Sequence, residues 1–327
     1  MSTSLRQISS CIAFRICLGS LVLTALIQVA SGAISHSVLA TSNNESDVKA
    51  WAIVLGVGEY EHLDVDTKYA DDDARGVSKQ LVLLWGSDHV KLAVDSNVVK
   101  DGVRDTIYNW LATKEDENDV VLLFLAGHGD CEYIRLHDSL KGFNVNDIHY
   151  SEFASWLEIL ESKNIVIIMD ICGSGFFAMK LSGNGRVILT CGTESQKCWQ
   201  EDTYAHGIFS YYLIEALCDL ENVDTNGDHA ISAEELFDYV YLGVASEFEA
   251  YPPPSLQHPQ MIDDHKGDLT LFQIASTETG VSESSLATSW WRDNRRYFWV
   301  VIGLVPVLAA SAMLAVFFMR RQRNLHK

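Results

Sequence analysis

The chain has 327 residues, of which 48% are hydrophobic, and its formal net charge is −20 at pH 7. A chain of this length and apolar content is long enough to bury one large core or two small ones. The acidic balance argues against a nucleic-acid-binding protein, because contacts with phosphates require clustered Lys and Arg side chains.

The first 40 residues differ in composition from those that follow. Arg6 and Arg15 precede an apolar stretch over residues 16–30, which is followed by small residues and then by a polar segment. This layout is typical of a secretory signal peptide cleaved near residue 32, 33 or 40, and an uncleaved N-terminal anchor is the alternative.

Residues 50–275 form the body of the chain, in which strand and helix patterns alternate. The alternation predicts an α/β fold, a three-layer α/β/α sandwich with a mainly parallel six-stranded sheet. The predicted strands are 51–57, 91–95, 120 up to His128, 165 up to Cys172, 186–191 and 268–272, the predicted helices are 71–84, 99–112, 151–160 and 207–220, and a hairpin is predicted around 131–143.

Two of these strands lead into side chains that carry chemistry. VVLLFLAGHGD brings His128 between two glycines, and IVIIMDICGSG ends in Cys172. Continuous apolar runs bounded by glycine are typical of central parallel strands, and ligands bind at the carboxyl ends of such strands. An imidazole beside a thiol can help it to act as a nucleophile. The alternative is two tight turns that hold a core cysteine and a satisfied histidine.

At these motifs, LAGHG and MDICGSG, the sequence resembles the caspase-like cysteine peptidases, which include caspases, metacaspases, legumains and clostripain-like enzymes. The resemblance covers about residues 50–274 and is nearest to metacaspase-like and prokaryotic members. It implies a caspase-like fold, a catalytic dyad of Cys172 and His128, and an oxyanion hole formed by the backbone N–H groups of Gly129 and Cys172. Polypeptide substrates are expected, and no organic cofactor.

The resemblance also implies a substrate pocket with two carboxylates. Metacaspase-like relatives place one aspartate two residues before the cysteine, as Asp170 is here, and another after the first strand, where Asp73 matches. A carboxylate beside a thiol weakens the nucleophile, and this cost is explained if a substrate Arg or Lys neutralises the charge on binding. We therefore expect cleavage after basic residues. Ala70 and Ala126 stand where many metacaspases have Cys and Ser, so the pocket need not have the same shape.

Helix capping is the alternative explanation for the acidic run 71–73, and it suits Asp71 and Asp72 better than Asp73.

Residues 224–235, DTNGDHAISAEE, fit the EF-hand calcium-loop pattern. His229 replaces the glycine of the sharp turn, so weak calcium binding is expected. A capping box between Ser232 and Glu235 is a second role that is compatible with the first. The predicted oxygen ligands are Asp224, Asn226, Asp228, the Ala230 carbonyl, Ser232 and bidentate Glu235.

The C-terminal part of the chain reads as a membrane anchor. Residues 276–296 form a predicted linker, and residues 297–319 contain no charged side chain and are long enough to span a bilayer as a transmembrane helix. Residues 320–327 form a basic tail. With a signal peptide at the front, the simplest topology is a single-pass membrane protein with a cytoplasmic tail and an extracytoplasmic catalytic domain.

The body contains five cysteines, and an odd count outside the cytoplasm allows two disulfides and one free thiol. Cys172 would be the free one. The pairing of the other four cannot be read from the sequence, and unpaired core cysteines are equally compatible with it. These four are Cys131, Cys191, Cys198 and Cys218.

The sequence therefore predicts a membrane-anchored, caspase-like cysteine endopeptidase that cleaves after Arg or Lys and depends on Ca²⁺. One alternative is a transpeptidase of the same fold, in which an amine intercepts the thioester. The other is a catalytically silent, calcium-binding surface module.

Overall fold

The computed structural model describes residues 48–183, 185–248 and 257–274. The chain divides into two compact units, Met1–Ala275 and Ser276–Lys327, and every described residue belongs to the first. Within the described ranges, no helix is long and apolar enough to cross a membrane. The predicted signal peptide or anchor, the linker, the transmembrane helix and the basic tail all lie outside the described residues.

A six-stranded sheet forms the centre of the described unit. Its strand order is β11-β7-β6-β3-β1-β2, and all neighbouring strands are parallel except β11, which runs antiparallel to β7. The mainly parallel six-stranded sheet predicted from the sequence is therefore confirmed. Its strands are β1 (Ala50–Gly56), β2 (Val90–Val94), β3 (Val120–Gly127), β6 (Asn164–Ile171), β7 (Arg186–Thr190) and β11 (Gln260–Asp263).

In the part of the chain that the structure describes, three pairs of short strands lie outside this sheet, and each pair is antiparallel. They are β4 (Tyr133–Ile134) with β5 (Ile148–His149), β8 (Gln200–Glu201) with β9 (His206–Gly207), and β10 (Ala230–Ser232) with β12 (Thr270–Gln273).

The helices cover both faces of the sheet. In chain order they are α1 (Ala70–Trp85), α2 (Lys100–Asp105), α3 (Tyr150–Leu157), α4 (Ser174–Leu181), α5 (Ile208–Cys218), α6 (Leu220–Val223) and α7 (Ala233–Phe248). The helix predicted at 99–112 is regular only to Asp105 and continues as a wide turn over Thr106–Trp110 and a tight turn over Leu111–Thr113.

Alternation along the strands divides the core into two layers, because successive side chains point to opposite faces. Phe124 and Ile168 belong to the cluster that includes Phe209 of α5, whereas Leu123 and Ile167 belong to the cluster that includes α2, α3 and α4. Both faces of β3 and β6 are buried, and this explains their continuous apolar runs.

Two sequence-based assignments were wrong in detail. The strand predicted at 268–272 is β12, but it pairs with β10 and not with the main sheet, whose sixth strand is β11. The segment Gln260–Asp263 is exposed at both ends and half-buried between them, so it lacks the apolar signal of a core strand. The hairpin predicted around 131–143 closes later, since Tyr133–Ile134 pair with residues 148–149.

Candidate active site

His128 and Cys172 lie at the same end of the sheet, the end formed by the carboxyl termini of the parallel strands. They directly follow Gly127 of β3 and Ile171 of β6, which are register partners in neighbouring parallel strands. Both side chains therefore lie at the carboxyl ends of two central strands, where parallel sheets bind ligands. Cys172 is half-buried and is a free thiol.

The turns that carry the two residues are in contact. A Cβ placed on Gly173 would lie 2.9 Å from the carbonyl carbon of Asp130 and 2.9 Å from the backbone nitrogen of Cys131. Gly173 also has φ of +73°, a conformation that disfavours residues with a Cβ. Glycine at this position therefore lets the loop after Cys172 pack directly against the loop after His128.

His128 is held mainly by the segment that follows β1. Its backbone N–H donates to the Tyr60 hydroxyl at 2.6 Å, the two rings are 5.0 Å apart at their centroids, and Nε2 lies 2.9 Å from the Val65 carbonyl oxygen. Burial raises the pKa of Tyr60, which keeps its hydroxyl protonated. No hydrogen bond joins the His128 and Cys172 side chains within the described part of the chain. The oxyanion role of the Gly129 and Cys172 N–H groups stays a prediction.

Asp73 and Asp170 are buried and converge on Gly207. Asp73 lies near the start of α1 and accepts hydrogen bonds from the Gly207 N–H at 3.1 and 3.2 Å. Asp170 Oδ2 accepts from Ser210, at 3.2 Å from its backbone N–H and 2.6 Å from its hydroxyl. A Cβ on Gly207 would lie 2.5 Å from Asp170 Oδ2 and 3.1 Å from Asp73 Oδ2. The two residues that the resemblance assigned to one pocket are therefore neighbours.

Burial dominates the electrostatics of this carboxylate pair. It raises the pKa of Asp170 to about 7, with the negative charge of Asp73 as the second cause. Burial also raises the pKa of Asp73 to about 6, although hydrogen bonding and charge from His206 oppose the change. Asp170 lies two residues before the free thiol of Cys172, and a cation beside this buried pair would favour its ionised form.

Three residues that contact this carboxylate pair were missed by the sequence analysis: His206, Gly207 and Ser210. His206 and Gly207 form β9, a strand of two residues with no periodic signal, and His206 Nδ1 lies 2.7 Å from Asp73 Oδ1. Ser210 is a fully buried polar residue in the first turn of a mostly apolar helix, IFSYYLIEALC. That mismatch is the one sequence signal that could have indicated it.

A disulfide between Cys191 and Cys198 lies beside the pocket. Both sulfurs approach the carbonyl oxygen of Ile171, at 3.2 and 3.3 Å. Cys191 directly follows β7, and Cys198 lies two residues before β8, so the bond ties the β8–β9 hairpin to the main sheet. Asp170 and these two sulfurs form the one group of three candidate metal ligands in the described ranges, but sulfurs in a disulfide are not thiolate ligands.

Of the five cysteines in the body, Cys131, Cys172 and Cys218 are free. The prediction that Cys172 is a free thiol agrees with this arrangement, and one disulfide forms where two were allowed.

The predicted calcium loop is a compact turn between α6 and α7. Asp224 accepts from the N–H groups of Gly227 and His229, at 2.7 and 3.1 Å, while Glu235 accepts from the N–H groups of Thr225 and Ser232, at 3.0 and 3.2 Å. The Ser232 hydroxyl accepts from the Glu235 N–H at 3.1 Å, which completes the predicted capping box.

His229 has φ of +65°, the left-handed conformation that glycine supplies in the EF-hand pattern. Asn226 and Asp228 accept from backbone N–H groups two residues further on, both at 2.8 Å. The loop residues therefore fit the backbone shape of the motif, and calcium binding itself stays a prediction.

A family model for the caspase domain matches residues 49–265. The chain belongs to this family and is a caspase-like cysteine peptidase, that is, a hydrolase that acts on polypeptides. The crystal structure of caspase-1 from Spodoptera frugiperda is similar to 70% of this chain and 96% of its own, with 14% sequence identity and a TM-score of 0.49. No curated protein matches the chain.

Proposed function

We propose that this protein is an endopeptidase that uses Cys172 and His128 to cleave polypeptides after arginine or lysine. The observation that carries the specificity is the pair of buried carboxylates, Asp73 and Asp170, that converge on Gly207, with Asp170 two residues before Cys172 in the chain. A guanidinium group binds carboxylates through charge-assisted, often bidentate hydrogen bonds. A cationic side chain is therefore the substrate group best able to neutralise this pair.

The proposed reaction begins when His128 takes the proton of the Cys172 thiol and the sulfur attacks the peptide carbonyl carbon. Backbone N–H groups of Gly129 and Cys172 stabilise the oxyanion, and His128 gives a proton to the leaving amine. Water then hydrolyses the thioester, which releases the new carboxylate and restores the thiol. The contact between the two turns at Gly173 supports this assignment, because it keeps His128 and Cys172 at one end of the sheet.

Two further parts of the proposal rest on the sequence. Residues 297–319 anchor the protein in a membrane with the peptidase domain outside the cytoplasm, and residues 224–235 bind Ca²⁺ through Asp224, Asn226, Asp228, Ala230, Ser232 and Glu235. The disulfide between Cys191 and Cys198 supports the location, since disulfides persist in oxidising compartments.

The test is a peptidase assay of the full chain on matched peptides that carry Arg, Lys, Asp or Asn before the cut. The proposal expects cleavage after Arg and Lys and little after Asp. Cleavage after Asp with none after Arg would overturn the assignment of the pocket. An added amine nucleophile separates hydrolysis from transpeptidation, because only a transpeptidase converts most of the thioester into the amide.

A further inference from the structure

The acidic pocket already contains a basic side chain of the protein itself. His206 Nδ1 lies 2.7 Å from Asp73 Oδ1, and the His206 side chain is 24% exposed whereas that of Asp73 is 2% exposed. The ring also packs against α1, because a Cβ on Gly76 would lie 3.6 Å from His206 Cε1. The imidazole is therefore the solvent-facing partner of a buried carboxylate.

A substrate cation that binds Asp73 meets this imidazole. Asp73 Oδ1 is shared between His206 and the Gly207 N–H, and Oδ2 also accepts from Gly207. Asp170, by contrast, receives hydrogen bonds from a neutral residue, Ser210. An imidazolium on Asp73 cancels one of the two negative charges and repels an incoming guanidinium or ammonium group. Neutral imidazole does neither.

We infer that His206 is a specificity-determining residue of this pocket: as an imidazolium it occupies Asp73 in place of the substrate's basic side chain and so weakens selection for that side chain. The inference rests on the proposed function and adds to it a protein residue that competes with the substrate.

The charge of the pocket then depends on the titrations of His206, Asp73 and Asp170, and each of them makes the pocket more negative as the pH rises. The hydrogen bond with Asp73 raises the pKa of His206, so this residue stays protonated to higher pH than a free imidazole. Asp170, with a pKa of about 7, also becomes more negative as pH rises. Substitution of His206 is therefore needed to isolate its share. Asp72 and Asp73 of α1 are the charged groups that act on the ring, Glu201 of β8 is the cross-strand partner of His206, and Asp170 of β6 interacts with Asp73.

The experiment compares the full chain with two variants, His206→Gln and His206→Lys. Glutamine keeps a hydrogen-bond donor for Asp73 but cannot be protonated, whereas lysine makes the cation permanent. His62→Gln is the matched control, because His62 also lies near a carboxylate, 3.8 Å from Glu61, and both side chains of that pair are exposed. Each protein is assayed on two peptides that differ only in Arg or its neutral isostere citrulline before the cut.

The readout is the ratio of kcat/KM for the arginine peptide to that for the citrulline peptide, measured between about pH 5.5 and about pH 8. In the wild-type protein and in His62→Gln the ratio rises with pH. In His206→Gln the ratio near neutral pH exceeds that of wild type by about tenfold, because the substrate cation no longer competes with a charged hydrogen bond to Asp73. At the acidic end the gain shrinks, because without His206 the buried Asp73 carboxylate takes up a proton more readily. In His206→Lys the ratio stays low throughout.

Each outcome decides the matter. An arginine preference with the same pH profile in wild type and both variants overturns the role of His206 and leaves the proposed function standing. A protein that ignores the charge of the substrate in all four forms overturns both. An arginine preference that emerges only in His206→Gln supports the inference even if wild type shows none. Two measurements distinguish this role from a merely structural one. A specificity role leaves the melting temperatures of the variants unchanged and changes KM but not kcat.

Discussion

Gly207 and Asp170 are so close that a methyl group on Gly207 would collide with the Asp170 carboxylate. A Cβ built on Gly207 lies 2.5 Å from Oδ2, although the Gly207 backbone, with φ of −59° and ψ of 139°, is open to any residue. The constraint on this glycine is therefore contact with the acidic pair and not backbone conformation.

Gly207→Ala should displace the carboxylates and destabilise the protein by about 1 to 3 kcal/mol, the usual cost of overpacking. Cleavage of basic substrates should fall more than cleavage of neutral ones. Gly102→Ala is the control, because its Cβ would meet the nearest atom at an ordinary 3.4 Å and lie in a helix, where alanine is favoured. Thermal unfolding and the arginine peptide assay check both variants. Equal stability of Gly207→Ala and wild type would contradict the contact.

Cys172→Ala should abolish turnover while the fold is kept, because the nucleophile is lost and little volume changes. His128→Ala should lower kcat by roughly 10²- to 10⁴-fold, the range for general acid–base help. Cys218→Ala is the thiol control, since Cys218 is free and lies at the end of α5. A thiol-directed active-site probe should label wild type and Cys218→Ala but not Cys172→Ala. Near-full activity of either dyad variant would contradict the assignment.

Asp170→Asn should stabilise the protein at high pH. A carboxyl group whose pKa rises from 3.8 in the unfolded chain to about 7 in the folded one favours folding fully below pH 3.8, and this contribution is lost as the pH rises through 7. Asparagine cannot ionise, so the variant and wild type should have similar free energies of unfolding near pH 4.5. Near pH 8 the free energy of unfolding of the variant should be larger, by on the order of 2 kcal/mol, and its melting temperature higher.

Asp202→Asn is the control for this prediction. Lys68 lowers the pKa of Asp202, so the change in stability with pH should have the opposite sign. A constant difference between Asp170→Asn and wild type across the pH range would contradict the buried, raised-pKa carboxyl.

Most of the central sheet could be predicted because β1, β3 and β6 are buried on both faces and carry continuous apolar runs. The sequence also predicted that His128 and Cys172 lie at the same end of the sheet, because the carboxyl ends of parallel strands lie on the same side. The last strand could not be predicted correctly. Gln260–Asp263 shows no strong apolar signal, whereas Thr270–Gln273 shows one but pairs with β10 instead of the main sheet.

The pocket illustrates the same limit at the level of side chains. Asp73 and Asp170 were predicted from a resemblance. Asp73 is buried in α1, and the N-terminus of this helix, at Tyr69, has no side-chain cap, so the helix-capping alternative for Asp71 and Asp72 finds no capping hydrogen bond. His206 is 133 positions from Asp73 and lies on a strand of two residues. Its contact arises from tertiary packing alone, so neither periodicity nor spacing could indicate it.

Loss of the Cys191–Cys198 disulfide should release the β8–β9 hairpin. The bond closes a loop with a sequence separation of 7, and the chain-entropy model gives about 2.5 kcal/mol for a loop of this size. The Cys191→Ser and Cys198→Ser double variant should melt at lower temperature and lose preference for basic peptides, because His206 and Gly207 lie on the freed hairpin. Thermal unfolding without reductant measures the first effect and the arginine peptide assay measures the second. An unchanged melting temperature would show that the main sheet holds the hairpin without the bond.

Calcium should stabilise the protein through residues 224–235, and the loop offers a substitution that separates binding from folding. Asp228 Oδ1 accepts from the Ala230 N–H, a bond that the asparagine in Asp228→Asn can keep while the ligand charge is lost. Glu235→Ala, in contrast, would also break the bonds to Thr225 and Ser232 and destabilise the loop without calcium.

With a Kd of about 10⁻⁴ to 10⁻³ M and millimolar calcium, the stabilisation is about 0.4 to 1.4 kcal/mol. Asp228→Asn should lose this increment but melt like wild type in chelator. His229→Gly should raise the melting temperature both with calcium and in chelator, because glycine adopts the observed φ of +65° without steric cost. Ala205→Gly, at φ of +53°, is the control for relief of backbone strain elsewhere. If calcium leaves the melting temperatures of wild type and of His229→Gly unchanged, the loop is only a capped turn.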